Sequence, residues 1–86
     1  MQIDTVTFTF GGDLPVASFA EFAQHRAARL SLTLETVAQN SDTMTVRVHG
    51  PTDLVDAFEM AMSLGPADCI VSDVRRTDNN PNRSET

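Results

Sequence analysis

The sequence predicts an α+β domain in which two helices pack on one face of a four-stranded antiparallel sheet, in the order βαββαβ. Residues near 5–10 and 44–49 alternate between apolar and polar types, which is typical of half-buried strands. Apolar residues at helical spacing follow each of these strands and predict two helices. A central hairpin and two right-handed crossovers make this two-layer sandwich the simplest assembly.

The first strand and first helix have the clearest patterns. Apolar residues at 6, 8 and 10 alternate with threonines at 5, 7 and 9, and Gly11-Gly12-Asp13 ends the strand. A helix is predicted from about Val16 to Leu30, with Ser18 as its cap. Its apolar face consists of Phe19, Phe22, Ala23, Ala27 and Leu30.

The middle of the chain predicts a hairpin. Thr33 to Gln39 alternates poorly, which favours an edge strand over a central one. Asn40-Ser41-Asp42 has the composition of a turn. The third strand then alternates Met44, Val46 and Val48 with polar residues.

The second helix is predicted to start near Gly50-Pro51, with Thr52 or Asp53 as its cap, and to stop at Gly65-Pro66. Met60 and Met62 are interpreted as core residues. The other predicted core positions of this helix are Leu54, Phe58, Ala61 and Leu64. Ala67 to Arg76 reads as the last strand, with Cys69 as a small apolar filler within it.

The length of 86 residues predicts one domain, residues 1–78, followed by a disordered C-terminal tail, residues 79–86, which contains no apolar residue. No stretch has the length of a membrane span, and the N-terminus lacks the pattern of a signal peptide. We therefore expect a cytoplasmic protein without membrane attachment.

Composition excludes several functions. The net charge is -6, and the six basic residues are all arginines. Schiff-base chemistry needs a lysine, and nucleic-acid binding needs a basic patch, so neither is expected. RNA recognition also lacks the paired aromatics that stack bases. Cys69 is the one cysteine, which predicts no disulfide, no metal cluster and no C-x-x-C metal chaperone. We expect no cofactor.

The junction between the first strand and the first helix is the candidate ligand loop. Backbone N–H groups at such a junction can gather an anion. The segment carries no basic side chain, and Asp13 opposes an anion. The candidate loop residues are Gly12, Asp13, Leu14, Pro15, Val16, Ala17, Ser18 and Phe19.

Several segments resemble the acylphosphatase family at matching spacing. Residues 29–33, Arg-Leu-Ser-Leu-Thr, are similar to the family's R-L-G-L-T step between the first helix and the second strand. Two Gly-Pro pairs, at 50–51 and 65–66, match those that flank its second helix, and residues 69–74 are similar to its closing A-x-V-x-x-V. The resemblance covers residues 5 to 76 and implies the ferredoxin-like fold and, in the family, hydrolysis of acyl phosphates.

The same register implies that the usual catalytic pair is missing. The loop aligns with the family's G-x-V-Q-G-V-x-F-R, so the phosphate-binding arginine falls on Ala20 and the water-positioning asparagine on Ala38. The glutamine–glycine pair of the family falls on Pro15-Val16, and proline has no N–H to donate. Arginine is the strongest phosphate contact, and losing one such donor costs on the order of 10²–10³ in turnover.

Other residues offer limited compensation. Asn40 lies two positions after Ala38 but is better explained by the turn. Arg47 is expected to point away from the core, and Arg26 to face solvent. His25 and His49 are interpreted as separate surface residues.

Three functions follow from these patterns. The first is an acylphosphatase-like binding or regulatory module without the family reaction, whose ligand is an unknown protein or small molecule. The second is an acylphosphatase with a rearranged site, which requires an arginine or cation near residues 12–19. The third is a small-ligand regulatory module of the ACT kind, which shares the element order and works as a dimer. The sequence leaves monomer and homodimer open.

Overall fold

The architecture is that of a two-layer α+β sandwich, seen in a computed structural model that describes residues 2–78. The predicted tail, residues 79–86, lies outside the described residues. The sheet is antiparallel with strand order β2-β3-β1-β4, and the helices cover one face. The elements are β1 (Ile3–Asp13), α1 (Val16–Arg29), β2 (Thr33–Gln39), β3 (Thr43–Pro51), α2 (Thr52–Leu64) and β4 (Ile70–Asp78). The predicted ferredoxin-like fold is confirmed.

The core lies between the sheet and the helices, where the alternation of β1 and β3 places it. Phe8 and Phe10 stack with their ring centroids 5.8 Å apart, and Phe10 meets Phe19 of α1 edge to face at 5.6 Å. Phe58 of α2 lies 5.9 Å from Phe8. The other buried apolar side chains are Val6, Leu14, Ala23, Ala27, Leu32, Met44, Val46, Val48, Val55, Met62 and Cys69.

The predicted buried face of α2 is partly wrong. Phe58 and Met62 are buried as expected, but Val55 completes the row. Leu64 and Met60 are 79% and 71% exposed. Eight of the thirteen residues of α2 are apolar and they occupy more than one face, so periodicity alone did not fix which side faces the sheet.

The predicted helix caps are also wrong. Pro15 and Pro51 precede α1 and α2, and neither helix has a side-chain cap. Ser18 lies in the first turn of α1 and donates to Asp68 instead. The Thr52 hydroxyl donates to the buried carboxylate of Asp4, 2.9 Å away, so it ties α2 to β1.

The two edges of the sheet carry irregularities. β2 is an edge strand, as predicted, and its pairing with β3 shifts between Thr36 and Ala38. The predicted turn is confirmed, because Asn40 Oδ1 accepts from the backbone N–H groups of Asp42 and Thr43. The last strand begins later than predicted, at Ile70, so the buried Cys69 precedes it.

Candidate functional site

The candidate loop is held against the β2–β3 turn through its own backbone. The N–H of Gly12 donates to the carbonyl of Asp42 at 3.0 Å, and the N–H of Leu14 donates to Ser41 at 2.9 Å. Pro15 has no N–H. Two amides that could face a ligand are therefore already used. The donors that remain are those of the first turn of α1, as at any helix start.

Gly12 is required by the close approach of β4. Its φ is 148°, a backbone conformation that residues with a side chain rarely adopt. A Cβ at this position would overlap the carbonyl of Ile70. The pairing of β1 with β4 shifts beside it, between Gly11 and Gly12. The glycine therefore lets the chain bend from the sheet into α1.

The remaining loop residues divide between core and surface. Leu14 and Phe19 are buried and anchor the two ends of the segment. Val16 is 45% exposed and, with Ala17 and Asp13, lies at the surface. The loop thus presents a short apolar and acidic surface.

The side chains described beside the start of α1 are one acidic residue, Asp68, and two neutral ones, Ser18 and Cys69. Ser18 donates to Asp68 Oδ1 at 2.8 Å, and the Cys69 thiol approaches the same oxygen at 3.7 Å. Burial first, and the charge of Asp68 second, raise the pKa of the Cys69 thiol. The thiol therefore stays protonated and is a poor nucleophile at neutral pH.

Gln39 is the side chain of β2 that reaches the loop, and the sequence analysis missed it. Its Nε2 donates to the carbonyl of Val16 at 2.9 Å, and Gln39 pairs with Met44 on the helix side of the sheet. The irregularity between Thr36 and Ala38 sets this direction. The poor alternation of β2 was the only signal in the sequence that such a shift exists.

The two positions that correspond, by resemblance, to the family's catalytic pair lie on opposite faces of the sheet. Ala20 lies in α1, partly buried against the core. Ala38 pairs with Thr45, which bonds Thr9 on the face of the sheet opposite the helices. An alanine methyl at either place offers no polar group to a ligand.

Four of the five arginines within residues 2–78 contact groups away from the loop. Arg47 pairs with Glu35 at 2.9 Å on the open face, and Arg75 lies 3.6 Å from Asp73. Arg26 lies over the ring of Phe22, 5.3 Å from its centroid. The largest cluster is that of Arg76, whose guanidinium contacts Asp56 and Glu59 of α2, each at 2.8 Å.

Arg29 is distant from the loop for a geometric reason. It ends α1, whose first residue is Val16, so the helix separates it from the loop by about 20 Å. No arginine within residues 2–78 is therefore seen to bond into the loop. Arg83 lies outside the described range.

The other candidates have local roles. Asn40 is occupied by the turn, and His49 Nδ1 lies 2.7 Å from the Thr5 hydroxyl on the open face, while His25 is exposed. Among residues 2–78 no three metal-ligating side chains come together. Neither helix has the length and apolarity needed to cross a bilayer.

Solved structures with this fold include known enzymes. The chain superposes on an acylphosphatase from Bacillus subtilis with a TM-score of 0.82 and 18% identity, covering 92% of this chain and 87% of that one. An acylphosphatase from Coxiella burnetii gives a TM-score of 0.82 and 19% identity, covering 91% and 82%. Full-length HypF, in a phosphate- and nucleotide-bound form, gives 0.78 and 17% over 90% of this chain and 10% of HypF.

The likeness to these proteins is found by comparison of structures and not by comparison of sequences. No family model matches the chain, and no curated protein matches it. The strand order and the superposition both indicate the ferredoxin-like architecture of these acylphosphatases. The chain is thus an acylphosphatase-like domain in its fold.

Proposed function

We propose that this domain does not hydrolyse acyl phosphates by the family's usual means, and that it acts as a binding or regulatory module for a protein or small-molecule ligand. The observation that carries the proposal is the state of the loop. Its Gly12 and Leu14 amides are bonded to turn carbonyls, and no arginine of residues 2–78 is seen to bond into it. Such a loop lacks the fixed cation that a phosphate dianion needs.

Electrostatics support the same proposal. Acyl-phosphate hydrolysis requires a held dianion and a water placed in line with the leaving group. Asp13 lies in the loop and Asp68 lies beside it, and the chain carries a net charge of -6. A phosphate entering here meets negative charge without a guanidinium to offset it.

The likeness to acylphosphatases supports the fold, whereas the chemistry depends on the residues of the site. Identities of 18% and 19% accompany the high TM-scores, and one scaffold hosts many activities. The similar structures are those of two acylphosphatases and of HypF in a phosphate- and nucleotide-bound form. Phosphate chemistry is therefore the first activity to test.

One observation favours the second candidate, an acylphosphatase with a rearranged site. The Gln39 carboxamide lies beside the loop, bonded to the Val16 carbonyl. A carboxamide can orient a water, as the family's asparagine does by resemblance. This candidate still needs a cation. Because Gln39 would place the attacking water, Gln39→Ala would abolish any hydrolysis that the protein shows.

The deciding experiment is an assay with benzoyl phosphate. We expect the pure protein to hydrolyse it no faster than buffer, with the Bacillus subtilis acylphosphatase as the active control. Turnover in the usual enzyme range, about 1–10³ per second, overturns the proposal. Loss of that turnover in Gln39→Ala then assigns it to the rearranged site.

A second arm restores the family's side chains. We expect Ala20→Arg with Ala38→Asn to gain less than about tenfold, because Ala38 pairs on the open face and the loop amides stay bonded to the turn. Ala20→Arg alone is the matched control, because it differs from the double variant only in lacking the asparagine at position 38. A gain of 10² or more, on the order expected for a restored donor, shows that the loop still accepts phosphate.

A further inference from the structure

The outer surface of the helices carries an apolar ridge, formed by Met60 and Leu64. The two side chains stand one turn apart on α2 and are 71% and 79% exposed, more than the other large exposed apolar residues in the described range. Neither side chain supports the core. Large apolar groups placed in this way are typical of a binding surface.

A groove runs beside this ridge, between α1 and α2. The interhelical groove has a volume of about 400 Å³ and is lined by Phe22 and Arg26 of α1 and by Ala57, Ala61 and Gly65 with the ridge itself. Three of the lining residues, Ala57, Ala61 and Gly65, are small, so an apolar side chain can enter the groove. Arg26 covers one wall by lying over Phe22.

The two helices carry opposite charges at the same end of this surface. β1 and β3 are antiparallel, and each leads into its helix, so α1 and α2 run in opposite directions. The last residue of α1, Arg29, therefore lies at the end where the first turn of α2 carries Asp53. Both side chains are exposed.

The rows on the two helices complement each other. On α1, Phe22, Arg26 and Arg29 follow one another at helical spacing, from apolar to basic. On α2, the matching row is acidic at the same end and apolar at the other, and consists of Asp53, Ala57, Met60 and Leu64. Each row is thus the complement of the other.

We propose that two copies of this chain associate through their helical layers, about a two-fold axis that runs parallel to the helices. This operation lays α1 of each copy over α2 of the other and keeps the charged ends together. The ridge of each copy then enters the interhelical groove of the other. Arg29 of each copy meets Asp53 of the partner copy.

A second copy fits this surface because one face supplies both halves of the interface. It carries a ridge and a groove, and a basic and an acidic end, which an isologous contact requires. The apolar centre is small, so the dimer belongs to the weak class of interfaces. Association is therefore expected only at high protein concentration.

Sedimentation velocity of the full chain tests the proposal, from about 10 µM to about 1 mM, the range in which small interfaces associate. We expect a concentration-dependent shift from monomer to dimer. Leu64→Glu and Met60→Glu should each raise the dimer dissociation constant by about tenfold or more. Val37→Glu is the control, because Val37 is 50% exposed on β2, away from the helices, and should leave the constant unchanged.

A charge exchange tests the orientation. Arg29→Glu and Asp53→Arg should each weaken the dimer, and the double variant should restore it. Circular dichroism confirms that each variant folds. A monomer at about 1 mM overturns the proposal. A dimer that survives both ridge substitutions, or a double variant no better than the single ones, equally overturns it.

Discussion

At the residue scale, Ser31 adopts a conformation that suits glycine. Its φ is 57°, and it follows α1, where its N–H donates to Ala28 and that of Leu32 donates to Ala27. This pair of bonds is a Schellman motif, which usually places glycine at the left-handed position. The acylphosphatase pattern R-L-G-L-T that residues 29–33 resemble also has glycine there.

We expect Ser31→Gly to raise the free energy of unfolding by about 0.5–1 kcal/mol. Glycine removes the cost of the left-handed backbone, and its greater freedom in the unfolded chain offsets part of the gain. Urea denaturation measures the change. Ser41→Gly, at a turn position without positive φ, is the control and should not stabilise the protein. Equal or lower stability of Ser31→Gly contradicts this explanation.

At the scale of elements, Arg76 joins β4 to α2 and to β1. Its guanidinium contacts Asp56 and Glu59 at 2.8 Å and lies 5.6 Å from the ring centroid of Phe8. The side chain is 28% exposed, so solvent screens these contacts only in part. The cluster fixes the edge strand β4 against the helical layer.

Arg76→Gln should lower the free energy of unfolding by about 1 kcal/mol, because two carboxylates lose their shared cation. The difference should shrink in high salt, which screens the lost attraction. Arg75→Gln is the matched control, since Arg75 is 81% exposed and its pair with Asp73 is long. Equal effects of the two substitutions in urea denaturation would contradict a special role for Arg76.

At the scale of the whole molecule, the balance of charge opposes anions. The chain has a net charge of -6, and four of the five arginines within residues 2–78 contact a carboxylate or an aromatic ring. Since a guanidinium bonded to its own carboxylate is less available to a ligand, the protein as a whole offers little to phosphate.

Inorganic phosphate at about 10 mM should therefore not raise the melting temperature above that in sodium chloride of equal ionic strength. A site with a dissociation constant of about 0.1 mM would add about 2.7 kcal/mol under these conditions, which corresponds to several degrees. Differential scanning fluorimetry or calorimetry makes the measurement. A rise of that size would contradict the proposed loss of phosphate binding.

The fold was predictable because its signals are local. Alternation in β1 and β3 and the helical spacing of Phe19, Ala23 and Ala27 each arise within a few residues, and the core confirms them. The phase of α2 was not predictable in this way. Met60 and Met62 are equally apolar in sequence, and only packing against the sheet buries the second.

The candidate site shows the same division. The absence of a basic side chain from residues 12–20 and the proline in the loop can be read directly from the chain. The reach of Gln39 to Val16 depends on the irregularity in β2, and the closure of the loop depends on carbonyls at Ser41 and Asp42. These partners lie more than twenty residues away along the chain, as the sequence numbers show.

The sequence by itself thus determined the order of the elements, the inward faces of β1 and β3 and the lack of a cation in the loop. These depend on residue type and short-range spacing. The tertiary structure alone decided that Gln39 faces the loop, that the Gly12 and Leu14 amides are occupied and that Met60 and Leu64 stand in solvent. Each of these depends on contacts between segments distant in the chain, which no local pattern specifies.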